Sequence, residues 1–140
     1  MKTINRRSAL LLGASTALMP VLPAAAQTSG PMYGPKDGKE VAPGVRQVDL
    51  GESAYKLPNY SAITMRDIVM QPNSATPDMP MPNDMICHMA EGQLALNKEG
   101  KDLTMQKNHV WICTKGSHEV AMNKSNQVVV MRIIDLQAMT

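Results

Sequence analysis

Short apolar segments recur along residues 45–136, and turn signals separate them. The clearest segment, QVVVMRIIDL at 127–136, is rich in the β-branched residues that favour strands. Turns are predicted at NKEGK (97–101) and TKGSH (114–118), where Gly stands among polar residues. The pattern predicts eight strands, at 45–50, 62–70, 85–91, 93–97, 102–105, 109–113, 118–122 and 127–136.

No long segment of the sequence shows the period of an amphipathic helix. Many short strands at regular spacing are typical of an antiparallel sandwich or barrel. With 140 residues, the chain has room for one domain with a single modest core. We therefore expect an all-β domain over residues 45–140, preceded at 27–44 by an extended arm rich in Gly and Pro.

The first 26 residues have the layout of a cleavable secretory signal peptide: a basic start, an apolar run and small residues before Gln27. The Arg6-Arg7 pair resembles a twin-arginine signal, although the flanking residues depart from its usual pattern, so the general secretory route stays open. Prolines interrupt the apolar run, which is too short to anchor the chain after cleavage. We expect a bacterial protein that is exported to the periplasm or secreted.

Charge and composition narrow the classes of partner. Without the three cations of the signal peptide, 11 basic residues stand against 12 acidic ones, so nothing indicates binding to nucleic acid or to an anionic membrane. The chain has no Phe but 13 Met, a residue that fills irregular gaps and carries a soft thioether sulfur. An exported protein reaches an oxidising compartment, where its two cysteines can form a disulfide, but the sequence does not show that they do.

The segment PDMPMPNDM at 77–85 places three methionines among three prolines. The prolines exclude a helix and disfavour a central strand. Flexible apolar side chains in such a segment suggest a purpose other than ordinary core packing.

The region around this segment resembles the two sequence motifs of the small single-domain cupins. The first motif reads Gly, five residues, His-x-His, three or four residues, Glu, six residues, Gly, and the second contains a fourth ligand, His. The slots of the first motif fall on Asn73, Met79, Met81, Met85 and Gly92, and those of the second on Lys107, Cys113, Lys115, His118 and Met122. The resemblance covers residues 60–136 and implies a cupin-type antiparallel β-barrel, or jelly roll.

The same comparison implies that three metal ligands of cupins have become methionines, and that His118 alone remains. Thioethers favour Cu(I) and have little affinity for the harder ions that cupins hold. Loss of the ligand Glu also removes an anion that would neutralise a divalent ion. The resulting hypothesis is a Cu(I) site formed by Met79, Met81, Met85 and His118, in a protein that handles copper or delivers it to an accepting protein.

Further candidate ligands lie nearby in the sequence. Cys87 falls on the same strand face as Met85, so His88 points to the opposite face. His109 and Trp111 share a face with Cys113, and Met122 shares one with His118. Lys115 and Glu119 are interpreted as solvated loop charges.

Two alternatives stand beside the copper hypothesis. In the first, the methionines are apolar residues that fill the interior of a barrel without a metal. The protein would then be a cupin that binds a small apolar molecule, or a cupin enzyme with an unusual site. The sequence contains no general base beside a plausible nucleophile, so we expect a binding protein rather than an enzyme. A structural domain whose arm docks a partner is a third reading, and pairing of two barrels through edge strands, by analogy with cupins, predicts a homodimer.

Overall fold

A computed structural model describes residues 30–55 and 57–139 of the protein. The signal peptide predicted over 1–26 lies outside the described residues. No helix in these two ranges is long and apolar enough to cross a membrane. The strands are β1 (Lys39–Ala42), β2 (Val45–Glu52), β3 (Tyr60–Met70), β4 (Asp84–Glu91), β5 (Gln93–Lys98), β6 (Lys101–Gln106), β7 (Val110–Cys113), β8 (Glu119–Met122) and β9 (Val129–Ala138).

Two antiparallel sheets form the domain, with the strand orders β1-β2-β3-β9-β4-β7 and β6-β5-β8. Each of the eight predicted strands corresponds to one of β2–β9, so the all-β prediction is confirmed. β1 falls inside the segment 27–44 that was predicted as an arm, and it pairs with β2 across a short turn.

The core lies between the sheets and is built by alternation along the strands. In β4, for example, Met85, Cys87 and Met89 are buried, whereas Ile86 and His88 point to the other face. His88 is therefore directed away from Met85 and Cys87, as the alternation predicts. Every second residue of β4 thus contributes to one wall of the barrel interior.

We call residues 75–83, which carry Met79 and Met81, the methionine segment. It runs antiparallel to β8, as an irregular extension of the smaller sheet. Ala75 lies opposite Met122, and Pro80 lies opposite His118. The Thr76 amide donates a hydrogen bond of 2.9 Å to a β8 carbonyl, and its hydroxyl oxygen accepts one from a β8 amide. Since prolines lack an amide hydrogen, the pairing is interrupted between these points. The segment nevertheless holds an extended course along one side of the barrel.

A buried ion pair ties the chain before β1 to the outer face of the larger sheet. The carboxylate of Asp67, which is fully buried, accepts two hydrogen bonds from the Arg132 guanidinium, at 2.8 and 2.9 Å. The same carboxylate accepts a 2.7 Å hydrogen bond from the Tyr33 hydroxyl. Residues near Tyr33 are therefore docked against the barrel rather than separate from it.

Candidate functional site

A cavity of about 730 Å³ opens between the two sheets. Met79 and Met81 line it from the methionine segment, Met85 and Cys87 from β4, and Glu119 from β8. Apolar side chains of β2, β3 and β9 form much of the remaining wall. Two kinds of sulfur, thioether and thiol, therefore face one internal space.

Two thiols and one carboxylate meet beside this cavity, where Cys87 and Glu119 belong to the lining and Cys113 does not. One ligand atom from each of Cys87, Cys113 and Glu119 lies within 4.8 Å of the other two, and all three residues are buried. The Cys113 thiol donates a hydrogen bond of 2.7 Å to the Glu119 carboxylate. Trp111 donates its indole N–H to both oxygens of that carboxylate, at 3.2 Å. We call Cys87, Cys113 and Glu119 the thiol cluster.

The strand register brings the two cysteines close without aligning them for a disulfide. Cys87 lies opposite Trp111, and Cys113 lies opposite Met85, so the cysteines are diagonal neighbours on β4 and β7. Diagonal neighbours have Cα atoms roughly 7–8 Å apart, whereas a disulfide without backbone movement needs less than about 7 Å. Both cysteines are free thiols in the structure, and this register favours a dithiol.

Glu119 has no cationic partner among the described residues. Its side chain is buried, with the residue 6% exposed, and its hydrogen-bond donors are a thiol and an indole. The Arg66 guanidinium also lines the cavity, but it is paired with Asp135 at 2.7 Å and its remaining N–H groups contact Gln47 and the Met85 sulfur. A buried carboxylate without a counter-ion is costly unless a cation binds or a proton is taken up.

The wider lining is acidic as well. Among residues 30–55 and 57–139, four carboxylates, those of Asp49, Glu52, Glu119 and Asp135, line the cavity together with one guanidinium, that of Arg66. Like charges within one cavity focus a potential that concentrates ions of opposite sign. The cavity therefore attracts cations and disfavours anions.

The Cys87 thiol is held in its protonated form. The hydrogen bond with Cys113 is the largest cause of its raised pKa, followed by burial and by electrostatic interactions with Cys113 and with the Glu119 carboxylate. In the absence of a metal, the Cys87 thiol therefore stays protonated at neutral pH and above it.

This raised pKa predicts that the folded protein loses stability as the pH rises above about 9, the ordinary value for a thiol. Below that pH both folded and unfolded chains hold the proton, so Cys87 adds no pH dependence. Above it only the unfolded chain releases the proton, and the free energy of unfolding should fall by at most about 1.4 kcal/mol per pH unit. Urea unfolding at pH 8.0, 9.0 and 9.7 measures this slope.

The variant Cys87→Ala should flatten that slope. The pKa of Tyr33 is also raised, so Tyr33 begins to contribute as the pH approaches 10, but equally in the wild type and in Cys87→Ala, and its effect cancels in the comparison. An unchanged slope in Cys87→Ala would contradict the assignment.

The structure separates His118 from the three methionines. Its ring is directed outward, with the side chain 55% exposed, and its Nδ1 lies 3.0 Å from the carboxylate of Asp78. Met122 is likewise not part of the cavity lining. The physical reason is alternation, because Glu119 and Ala121 face the cavity and their sequence neighbours must face the other way.

The remaining candidates divide between the two faces. Trp111 and Cys113 are buried and belong to the thiol cluster or its immediate contacts. His109 is exposed, and its Nδ1 accepts a hydrogen bond from the Gln106 amide. His109 therefore does not share the buried face of Trp111 and Cys113.

The interpretation of Glu119 as a solvated loop charge is wrong, because its carboxylate is buried beside Cys113. The only sequence signal for Glu119 is that it forms a period-two set with Ala121 and Asn123, and in the structure all three are buried. The complementary set, which contains His118 and Met122, fits the same alternation, so the sequence pattern alone does not choose between them.

No protein-family model matches the sequence, and no curated protein matches it either. Among solved structures, an RmlC-like cupin from Shewanella frigidimarina is similar, with a TM-score of 0.59 and 10% identity over 76% of this chain and 88% of that one. KdgF from a Halomonas species has a TM-score of 0.57 and 12% identity over 72% and 86% of the two chains. The cupin domain of Schizosaccharomyces pombe Cnp3 has a TM-score of 0.55 and 16% identity, and the match spans 66% of this chain and 64% of that one.

Identities this low carry information about the fold alone. The strand topology and these neighbours agree with the resemblance read from the motif spacing. The protein has a cupin-type fold, an all-antiparallel β-barrel of the jelly-roll kind.

Proposed function

We propose that the protein binds one Cu(I) ion at the thiol cluster beside its cavity, with the thiolates of Cys87 and Cys113 as the principal donors. The observation that carries this proposal is the thiol cluster itself: two thiols and a carboxylate converge in a buried space, and no cation among the described residues balances the carboxylate.

The donor atoms select against the hard ions of typical cupins. Those cupins hold iron or manganese with imidazoles and a carboxylate, whereas the corresponding slots here carry thioethers and an outward-facing His118. Thiolate and thioether ligands are soft and favour Cu(I). The residues that face the cavity therefore do not fit an iron or manganese centre.

Charge alone does not choose between copper and zinc. From the sequence we expected a cavity without an anionic donor, which is wrong because Glu119 supplies one. Zinc with two thiolates and a carboxylate would be well neutralised. The preference for Cu(I) rests instead on the thioether of Met85, a buried cavity-lining residue that lies opposite Cys113 in the β4–β7 register, because thioethers bind zinc poorly.

The biological role that fits this site is the handling of copper outside the cytoplasm, by storage or by delivery to an accepting protein. Binding must displace thiol protons, so the affinity for Cu(I) should rise with pH. A site of soft donors holds copper as Cu(I) and resists redox cycling, which favours a binding protein over an oxidase.

The proposal is tested by anaerobic titration of the purified protein with Cu(I) in competition with a chromophoric chelator. One tightly bound ion per chain is the expected result, with a change in the fluorescence of Trp111, the single Trp of the chain, which contacts Glu119. A parallel titration with Zn(II) distinguishes the metals. Failure to retain Cu(I) against the chelator would overturn the proposal.

Replacing Glu119 by Gln should weaken Cu(I) binding by about tenfold to a hundredfold, the usual cost of losing a polar group that supports metal ligands. The substitution keeps the shape of the side chain but removes the charge beside Cys113. The matched control is His118→Ala on the same strand segment, which should leave the affinity unchanged because its ring lies outside the cavity. The opposite ranking would restore His118 as a ligand.

The size of the cavity supports a second candidate function. A volume of about 730 Å³ exceeds the need of one ion and lies within the range of small-molecule sites. A small apolar ligand would then contact the methionines and the aliphatic wall. Thermal stabilisation by such a ligand, without any metal bound, would favour this alternative.

A further inference from the structure

Three methionines occupy three depths of the cavity. Met79 is 57% exposed, Met81 is half-buried and packed against the core, and Met85 is 2% exposed. All three line the same space, and Met85 lies opposite Cys113 in the β4–β7 register. Thioether side chains are thus present from the solvent-exposed to the buried part of the cavity wall, and the most buried one belongs to the residue paired with Cys113.

The backbone of the methionine segment produces this arrangement. Asp78 is directed outward, where it pairs with His118, so its neighbour Met79 faces the cavity. Met81 is held by two backbone hydrogen bonds: its amide donates to the Ser117 carbonyl at 2.9 Å, and its carbonyl accepts from the Gly116 amide at 2.8 Å. The position of Met81 at the cavity wall is therefore fixed, whereas the side chain of Met79 remains accessible to solvent.

The two kinds of sulfur differ in how they acquire a soft cation. A thioether is neutral and binds Cu(I) without losing a proton, whereas a thiol must be deprotonated first. The thiols here are buried, and the Cys113 hydrogen is already donated to Glu119. Capture at the surface is therefore easier for a thioether, and firm retention is the property of the thiol cluster.

We propose that Met79 and Met81 form a loading route for soft monovalent cations, which passes them by way of Met85 to the thiol cluster. This inference rests on the proposed function, because it assumes that the thiol cluster is the final site. At each step one metal–thioether bond breaks as the next metal–sulfur bond forms, and copper remains Cu(I). In the last step the bonds to the Cys87 and Cys113 thiolates replace the bond to Met81, while Met85 stays bound. Both thiol protons leave to bulk water through the cavity, that of Cys113 by way of the Glu119 carboxylate 2.7 Å away, so that the carboxylate is again ionised beside the bound cation.

The loading rate of the full chain tests the route, since a route changes kinetics and leaves the final site intact. Cu(I) is supplied under anaerobic conditions as its complex with a chromophoric chelator, and transfer is followed by Trp111 fluorescence and by the released chelator. Met79→Leu should slow loading by about tenfold or more while the equilibrium affinity changes by less than about threefold. Met81→Leu, which nearly conserves side-chain volume, should act in the same direction.

Met139→Leu is the matched control, because Met139 is an equally exposed methionine outside the cavity lining. It should load at the wild-type rate. Zn(II) loading should be insensitive to Met79→Leu, since thioethers have little affinity for zinc.

The outcomes separate the two proposals. Slower Cu(I) loading with unchanged affinity supports the route. An unchanged loading rate overturns the route and leaves the proposed function intact. An equal loss of loading rate and affinity also overturns the route, because Met79 and Met81 would then be ligands of the final site. A wild-type protein that binds no Cu(I) defeats both.

Discussion

Replacing both Cys87 and Cys113 by serine should lower the affinity for Cu(I) by at least about a thousandfold. Thiolate-rich metal sites in small domains are stabilised by about 10 kcal/mol or more, shared among four ligands. Two lost thiolates therefore remove roughly 5 kcal/mol, which is more than three orders of magnitude in the dissociation constant. Chelator competition at fixed pH measures the loss, and each single variant should show an intermediate effect.

The control for this experiment is Met89→Leu. Met89 follows Cys87 by two residues on β4 and is fully buried, but it is absent from the cavity lining. It should bind copper as the wild type does, which excludes a general effect of altering a buried sulfur on this strand. Retention of wild-type affinity by the double cysteine variant would show that copper, if bound, is held by other donors.

Asp67→Ala should lower the free energy of unfolding by about 2–3 kcal/mol. Removing one partner of a buried ion pair typically costs about 3–5 kcal/mol, because the other charge stays buried. The expectation here is smaller because the Arg132 side chain is 34% exposed and regains some water. Urea unfolding with an unchanged m-value measures the difference.

Tyr33→Phe provides the matched control, because it removes a single hydrogen bond to the same carboxylate and should cost only about 1 kcal/mol. The double variant Asp67→Leu/Arg132→Met should recover part of the loss, since no charge is then left unpaired. A loss below about 1 kcal/mol in Asp67→Ala would show that the ion pair contributes little net stability.

The strands were predictable because their signal is local. Alternation and β-branched residues mark β2–β9 in short windows of sequence, and the observed bounds differ from the predicted ones by at most two residues. β1 was interpreted as part of an arm because KEVA stands among glycines and prolines. It forms a strand because Lys39 and Glu40 pair with Gln47 and Arg46 of β2, which is a contact between segments.

The candidate site was predictable only in part. The spacing of the cupin motifs indicated that Met79, Met81 and Met85 belong to one place, and all three line one cavity. Glu119 was missed because a charged residue after a Gly-containing turn usually lies in solvent. Its burial depends on Trp111 and Cys113 of β7, which donate the hydrogen bonds that its carboxylate needs.

The sequence by itself determined the fold class, the approximate strands and the sets of residues that share a strand face. Only the tertiary structure decided which face of β8 points inward, and this choice replaced His118 by Glu119 in the cavity. The physical reason is that side chains alternate with a period of two, so a shift of one residue exchanges every inner position for an outer one. That shift is set by the pairing of β8 with β5 and with the methionine segment, contacts that no short stretch of sequence contains.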